Sequence, residues 1–323
     1  MRAILVFIDG TICDDRKRLH LVRNSDLFNR ELVLQDIPVP NSVDCLQQLA
    51  SHYAIVYIGA RPSSTLTLTR EWLKNQNYPE GHVHLGDSLD ARINIVNQLK
   101  NEFDFLVGIG DRWDDNELHN IIHCQSIILE EYAGNWGQIY NRVIELHKTH
   151  LISQNKIRLE GKVEGLARVC PHLLSRFSES LWDVYHSSVM QMAESSRESR
   201  RKDDLDSFKR LNLNPDNLLD VERWYKLISD SEWEENPLYG LQDHEIVEVS
   251  KTYYCHKVTH CYYAELWKSH GMPEVGYQIH CKTDFAWWDK PAWNSNIRFK
   301  QPKTIMQGDD YCLFIQYLPN TGE

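Results

Sequence analysis

The reactive side chains of this 323-residue sequence are densest between 255 and 312, where Cys255, His256, His260, Cys261, Glu265, His270, His280, Cys281, Asp284, Asp309, Asp310 and Cys312 fall. A thiolate is the strongest side-chain nucleophile near neutral pH, and a neighbouring carboxylate or imidazole can carry the proton a departing nitrogen needs. That pairing suits attack on an amidine-like carbon. Cys281 and Asp284 would share a face if helical. We read Cys281 as nucleophile and Asp284 as the acid/base or amidine-orienting carboxylate. Cys261 and Glu265, four apart on one predicted helix, are second candidates lining the same pocket, as is Cys312 on a predicted strand just past Asp309 and Asp310.

Rival readings stay open. Cys261, Cys281 and Cys312 could hold a metal with a His or Asp, although their spacing matches no standard zinc pattern and no Cys-x-x-Cys occurs. His256 and His260 have a spacing that holds zinc on a helix. They fall at a predicted strand–helix junction with no matching acid, and read as surface histidines. Any single buried cysteine is more often packing than catalysis. The run Phe285-Ala286-Trp287-Trp288 with Trp293 is either a wall that stacks on a flat cation or core filling.

A second constellation lies near the N-terminus. Three apolar runs each end in glycine and polar groups: Ile4 to Ile8 before Asp9-Gly10-Thr11, Ala54 to Ile58 before Gly59-Ala60-Arg61-Pro62, and Phe105 to Ile109 before Gly110-Asp111-Arg112-Trp113-Asp114-Asp115. With amphipathic helices expected over Asn41–Leu49 and Thr65–Asn75, this predicts an α/β domain over 1–148. Its parallel, Rossmann-like sheet is covered on both faces, and its chemistry sits at the carboxyl ends of the strands.

Residues 149–323 read as an α+β domain. Leu166 to Met192 is helical in pattern, with apolar Leu166, Val169, Leu173, Leu174, Phe177, Leu181, Val184 and Tyr185. Ser195 to Asp206 reads as a solvated helix end or mobile loop. Strand signals return at Ile246, Val247, Val249 and Thr252 to Cys255. A helix over Cys261–His270 follows, then strand-like runs at Lys303–Met306 and Tyr311–Leu318.

Composition narrows the partners. The 35 Lys and Arg against 46 Asp and Glu give a formal charge of −11, which argues against generic nucleic-acid or anionic-membrane binding. No apolar run approaches the ~20 residues of a membrane span, and Asp9 comes too early for a signal peptide. Eight cysteines are too sparse for a disulfide scaffold, so the expected compartment is the reducing cytoplasm. A small-molecule substrate is the expected partner, and a homo-oligomer is left open.

The N-terminal motifs, with Thr69-Arg70-Glu71-Trp72-Leu73, resemble the haloacid dehalogenase (HAD) superfamily, most closely its polynucleotide-kinase-phosphatase-like and small nucleotidase members. Against that family's Asp-x-Asp-Gly-Thr, Asp9 matches the second acid and Phe7 stands where the nucleophile belongs. Gly59 replaces the phosphate-binding hydroxyl, and Arg92 is the best substitute for the missing Lys. The resemblance implies a catalytically degenerate scaffold in which Asp9, Asp111 and Asp115 are a vestigial Mg²⁺ site; a phosphatase of a small phosphomonoester is the alternative.

The stretch from about 244 to 318 resembles the L-2-amino-thiazoline-4-carboxylic acid hydrolase family. It carries Cys261-Tyr262-Tyr263-Ala264-Glu265-Leu266, Gly271-Met272-Pro273-Glu274-Val275-Gly276, Cys281-Lys282-Thr283-Asp284 and Gly308-Asp309-Asp310-Tyr311-Cys312-Leu313-Phe314 in the expected order. That resemblance implies hydrolysis of a C–N or C–S bond in an amino-acid-derived amidine, thiazoline or related heterocycle. No cofactor is required there. The fusion suggests specialised metabolism. A non-catalytic ligand-binding protein is a further alternative.

Overall fold

A strand buried on both faces has no polar side to alternate with, and the continuous apolar runs near the N-terminus become such strands. The computed structural model describes residues 1–319 apart from 22–24, 170–176, 232, 235 and 237. It divides into two compact units, Met1–Thr149 and His150–Glu323.

The first unit runs β1 (Arg2–Phe7), β2 (Cys13–Asp14), α1 (Arg30–Leu34), β3 (Ile37–Pro38), α2 (Ser42–Leu49), β4 (Ala54–Gly59), α3 (Leu66–Asn75), β5 (His82–Leu85), α4 (Leu89–Leu99), β6 (Asp104–Gly110), α5 (Trp113–Ile121), β7 (Gln125–Ile128) and the start of α6 (Trp136–Val169). Five strands form a parallel sheet in the order β5-β4-β1-β6-β7. The α/β expectation holds. β1 sends Ile4, Val6 and Ile8 into one core with Leu46, Trp72 and Trp136, and Ala3, Leu5 and Phe7 into the other with Val96 and Leu118. Chain segments leave the central strand toward both sides, so its carboxyl end is the switch point where such sheets carry ligands.

The second unit takes the rest of α6 and adds α7 (Glu179–Arg210), α8 (Leu218–Ser231), β8 (Gln242–Val249), β9 (Tyr253–Cys261), α9 (Tyr262–Ser269), α10 (Pro273–Gly276), α11 (Asp284–Trp288), β10 (Arg298–Lys303) and β11 (Cys312–Tyr317). Its sheet is antiparallel, ordered β10-β11-β9-β8. One core gathers Val258, Trp267, Phe299, Met306 and Phe314; an aromatic cluster gathers Phe208, Trp224, Trp293 and Tyr254. Among the described residues no helix is long and apolar enough to cross a membrane.

Two expectations are corrected here. Ser195 to Asp206 is neither a loop nor a helix end but the interior of α7. Arg200 pairs with Asp204 one turn on, at 3.6 Å, and Ala193, Ser207 and Phe208 bury the inner stripe. Lys303 to Met306 is not a strand. β10 stops at Lys303, and Thr304 Oγ1 accepts the Gln307 N–H to open a 3₁₀ turn closed by Gly308 at φ 104°. The pattern read as one helix over Leu166 to Met192 is instead split, since α6 ends at Val169 and α7 begins at Glu179 with Phe177 before it; Leu173 and Leu174 lie outside the described residues.

Packing at β6 is tight enough to test. His119 of α5 is fully buried over the sheet, with Nδ1 2.7 Å from Ser126 Oγ. A Cβ on Gly108 would lie 2.0 Å from the His119 ring. Overpacking of this kind costs about 1–3 kcal/mol or more. Gly108→Ala is expected to lower the urea midpoint, and pairing it with His119→Ala to give a strongly non-additive double-mutant cycle; additive costs would show that the contact is not the cause.

Candidate functional site

At the switch point of the parallel sheet the phosphatase outline is filled by other interactions. Phe7 is a core residue, edge-on to His119 at 5.5 Å between ring centroids. Asp9 is held by two buried arginines: Arg18 Nη2 donates to Oδ1 at 2.9 Å, and Arg61 Nε donates to Oδ2 at 2.8 Å. Burial opposes the Asp9 charge, but the Arg61 and Arg18 guanidiniums outweigh it and hold its pKa below the usual carboxylate range. Arg18 also reaches Asp36 at 2.9 Å, and Arg61 reaches Thr69 at 3.2 Å.

The other two acids are engaged differently. Asp111 accepts a hydrogen bond from Thr11, and burial pushes its carboxyl up to about 7. Asp115 Oδ2 accepts the backbone N–H groups of Asp111 and Arg112, both at 3.0 Å, and so caps α5. Arg92, the expected phosphate ligand, is paired with Asp114 at 2.7 Å. Among the described residues no three His, Cys, Asp or Glu side chains are grouped to hold a metal. Of the set Asp9, Asp111 and Asp115, Asp9 is already neutralised by two guanidiniums, whereas Asp111 keeps one buried oxygen, Oδ2, without a partner among the described residues. An Mg²⁺ ion held by Asp9 would have to displace two guanidiniums from it.

In the second unit four of the five expected catalytic residues meet. A cavity of about 200 Å³ is lined by Cys261, Cys281, Asp284 and Cys312, with Gln242, Gln301, Tyr263, His280, Thr283, Leu238, Trp287 and Phe314. Each side chain has a local cause for its position. Cys261 ends β9 opposite Gln242 of β8, whose Nε2 lies 3.7 Å from its Sγ. Cys281 ends one turn of π-helix over Tyr277–Cys281, closed by the Lys282 N–H on the Tyr277 carbonyl at 2.9 Å. Thr283 Oγ1 donates back to the carbonyls of Ile279 and His280, and Asp284 then opens α11. Gln301 Nε2, from β10, donates to Asp284 Oδ2 at 2.9 Å. Cys312 opens β11, and its Sγ accepts the Ile305 N–H at 3.2 Å.

Burial dominates the electrostatics. Burial pushes the Asp284 carboxyl up to about 7, against the opposing Gln301 hydrogen bond. Burial raises the Cys281 thiol furthest, helped by Asp284 and the other two sulfurs. Burial likewise raises Cys261, and Cys312 to about 11. His280 is pushed down to about 4 by burial and by Lys162. Near neutral pH the cavity thus holds three protonated thiols, a neutral imidazole and a carboxyl at its titration midpoint. A base near pH 7 is well matched to take a proton from a thiol as it attacks.

Glu265 does not join them. β9 continues through Cys261 and α9 begins at Tyr262, so the two never share a helical face. Glu265 is exposed and accepts a hydrogen bond from His260 at 2.9 Å. That contact also supplies the acid the sequence reading found lacking beside His260. The zinc pairing of His256 with His260 fails on geometry. Both lie on β9, where four residues span about 13 Å, and His256 is buried, stacked 5.0 Å from Phe314. The aromatic run is divided. Trp287 lines the cavity half-exposed, whereas Trp288 packs on Phe299 and Trp293 on Phe208. Gln242 and Gln301 escaped the sequence reading, because a neutral amide carries no signal until strand register places it.

Comparison with known proteins agrees with the division. Residues 175–315 match the model of the L-2-amino-thiazoline-4-carboxylic acid hydrolase family, the resemblance carried by the four C-terminal motifs. Residues 6–108 match the model of the LNS2 domain of PITM 1-3. No curated protein matches the sequence. Solved structures similar to part of the chain include the class C acid phosphatase of Bacillus anthracis (19% identity, 42% of this chain and 70% of that one, TM-score 0.33). Another is in the Pnkp1/Rnl/Hen1 RNA repair complex (16%, 42% and 43%, 0.32). A third is the haloacid dehalogenase-like protein SP0104 of Streptococcus pneumoniae (13%, 41% and 87%, 0.32).

The Asp9 lock predicts a stability effect where a phosphatase would show a catalytic one. Asp9→Asn leaves two buried cations short of a counter-charge and is expected to cost about 3–5 kcal/mol in chemical denaturation. Phe7→Asp, which supplies the family's carboxylate, is expected to leave p-nitrophenyl phosphate hydrolysis at background with Mg²⁺. Recovered turnover would show that the arginines do not block the site.

Proposed function

We propose that the second unit is a hydrolase acting on a C–N or C–S bond of a small amidine-type substrate, such as a thiazoline or related heterocycle, with Cys281 as nucleophile and Asp284 as acid/base. The convergence of Cys281 and Asp284 on one small cavity, within the stretch matched by the hydrolase family, carries this reading. The namesake reaction of that family opens a cyclic isothiourea.

The chemistry follows from the protonation states. At rest Cys281 is a thiol. As its sulfur bonds to the amidine carbon, the S–H proton passes to the Asp284 carboxylate, and no free thiolate is needed beforehand. The tetrahedral adduct breaks its bond to the departing nitrogen or sulfur, which takes the proton back from Asp284. Water then adds to the carbon held on Cys281, again giving up a proton to Asp284, and the C–S bond to Cys281 breaks as the sulfur recovers its proton. Gln301 fixes the orientation of the carboxylate throughout. The first unit serves as a framework without phosphatase activity. The free cysteines suit a reducing cytoplasm, and the fusion suits specialised metabolism.

The test is turnover of a 2-aminothiazoline and cyclic isothiourea panel, read as released thiol. Cys281→Ala is expected to abolish it and Asp284→Asn to lower it by about 10²–10⁴-fold, whereas Cys261→Ala and Cys312→Ala keep most of it. Because the ionised carboxylate is the active form, kcat/KM should rise with pH through about 7 and lose that limb in Asp284→Asn. Full turnover by Cys281→Ala would overturn the assignment. A further consequence concerns stability. A carboxyl whose folded-state pKa is raised destabilises the fold as pH climbs above its unfolded value. Asp284→Asn is therefore expected to raise the melting temperature at pH 8, by roughly 2–4 °C for each kcal/mol recovered.

A further inference from the structure

We propose that the cavity selects a carboxylate-free organic cation, a small amidinium or isothiouronium of 2-amino-2-thiazoline size, and rejects the analogue that carries a carboxylate. This deepens the hydrolase reading above and rests on it for the identity of the reacting group, but it is argued from charge.

Among the described residues that line the cavity, Asp284 is the one formally charged side chain and none is Lys or Arg. An anion-bearing substrate is normally held by such a cation, through charge-assisted or bidentate hydrogen bonds. Cations are close in sequence yet engaged elsewhere. β10 reads Arg298-Phe299-Lys300-Gln301-Pro302-Lys303. Arg298 donates to the Ser295 and Ile297 carbonyls, Lys300 lies over the Tyr317 ring and Lys303 reaches the Tyr311 hydroxyl. The β10 residue that faces the cavity is the neutral Gln301. Lys162, felt by His280, and Lys282, next to Cys281, are both exposed and outside the lining.

The rest of the wall favours a cation. Tyr263, Phe314 and Trp287 place aromatic rings in the wall, and aromatic rings attract delocalised cations. His280 stays neutral at working pH and adds no positive charge. A carboxylate brought into this space would meet Asp284 with no cationic side chain among the described lining residues to neutralise either. The volume of about 200 Å³ is roughly that of seven waters at the ~30 Å³ each occupies in the liquid. It admits a five-membered heterocycle.

Binding can be tested apart from turnover. The full-length protein carrying Cys281→Ala is titrated calorimetrically with 2-amino-2-thiazoline and with its 4-carboxylate at about pH 8, above the Asp284 value near 7. The cation is expected to bind at least about ten-fold tighter than the carboxylate, the worth of one charge-assisted contact. Asp284→Asn, close in shape and expected to fold, should erase that preference; Gln301→Lys, which places a cation on the inward position of β10, should shift it toward the carboxylate. Equal binding, tighter binding of the carboxylate, a preference that survives Asp284→Asn, or no binding of the cation would overturn the proposal. Cys281-dependent hydrolysis in the wild type alongside such a result would leave the hydrolase reading standing. Asp284-dependent cation binding without hydrolysis would do the reverse.

Discussion

A carboxylate taken out of water needs a partner, and the two units meet that requirement in opposite ways. Asp9 is surrounded by Arg18 and Arg61, with Asp15 and Asp36 completing the charge network, so its ionised form is fixed in place. Asp284 is given a single neutral amide, that of Gln301, and is left near its titration midpoint. A fully paired acid contributes rigidity and has no capacity left for chemistry. An under-paired one costs stability and keeps the capacity to exchange a proton or receive a cation. The same residue type therefore becomes structure in one unit and reactivity in the other.

The division was only partly legible in the sequence. The central strands announced themselves, because a parallel sheet covered on both faces turns its strands into unbroken apolar runs ended by glycine and aspartate. β5 and β7 did not: His82-Val83-His84-Leu85 and Gln125-Ser126-Ile127-Ile128 are four residues each and half polar. The substitution of Phe7 for an acid was visible at once. What holds Asp9 was not, since Arg18 lies nine positions away and Arg61 fifty-two, and only the fold brings them together.

The same limit governs the cavity. Cys281 and Asp284 could be paired by spacing, and Cys312 by motif order. Cys261 was misplaced onto a helix because its Glu265 neighbour completed a helical spacing. The hydrogen bonds of β9 reach one residue further than that pattern implied, and this carries Cys261 into the wall and leaves Glu265 outside it. Gln242 and Gln301 owe their positions to strand pairing with residues far along the chain, which no local pattern encodes. Sequence thus located the reacting atoms, whereas register supplied the groups that tune them.

The π-helical turn that presents Cys281 leaves its sulfur protonated and enclosed. Peroxides and electrophilic metabolites react with thiolates far faster than with thiols. On the proposed reading the sulfur becomes nucleophilic only as Asp284 takes its proton, so it is disarmed unless a substrate carbon is held beside both. Such a sulfur would react slowly with peroxides and with the reagents commonly used to trap reactive cysteines, and its chemistry would show itself only in the presence of substrate.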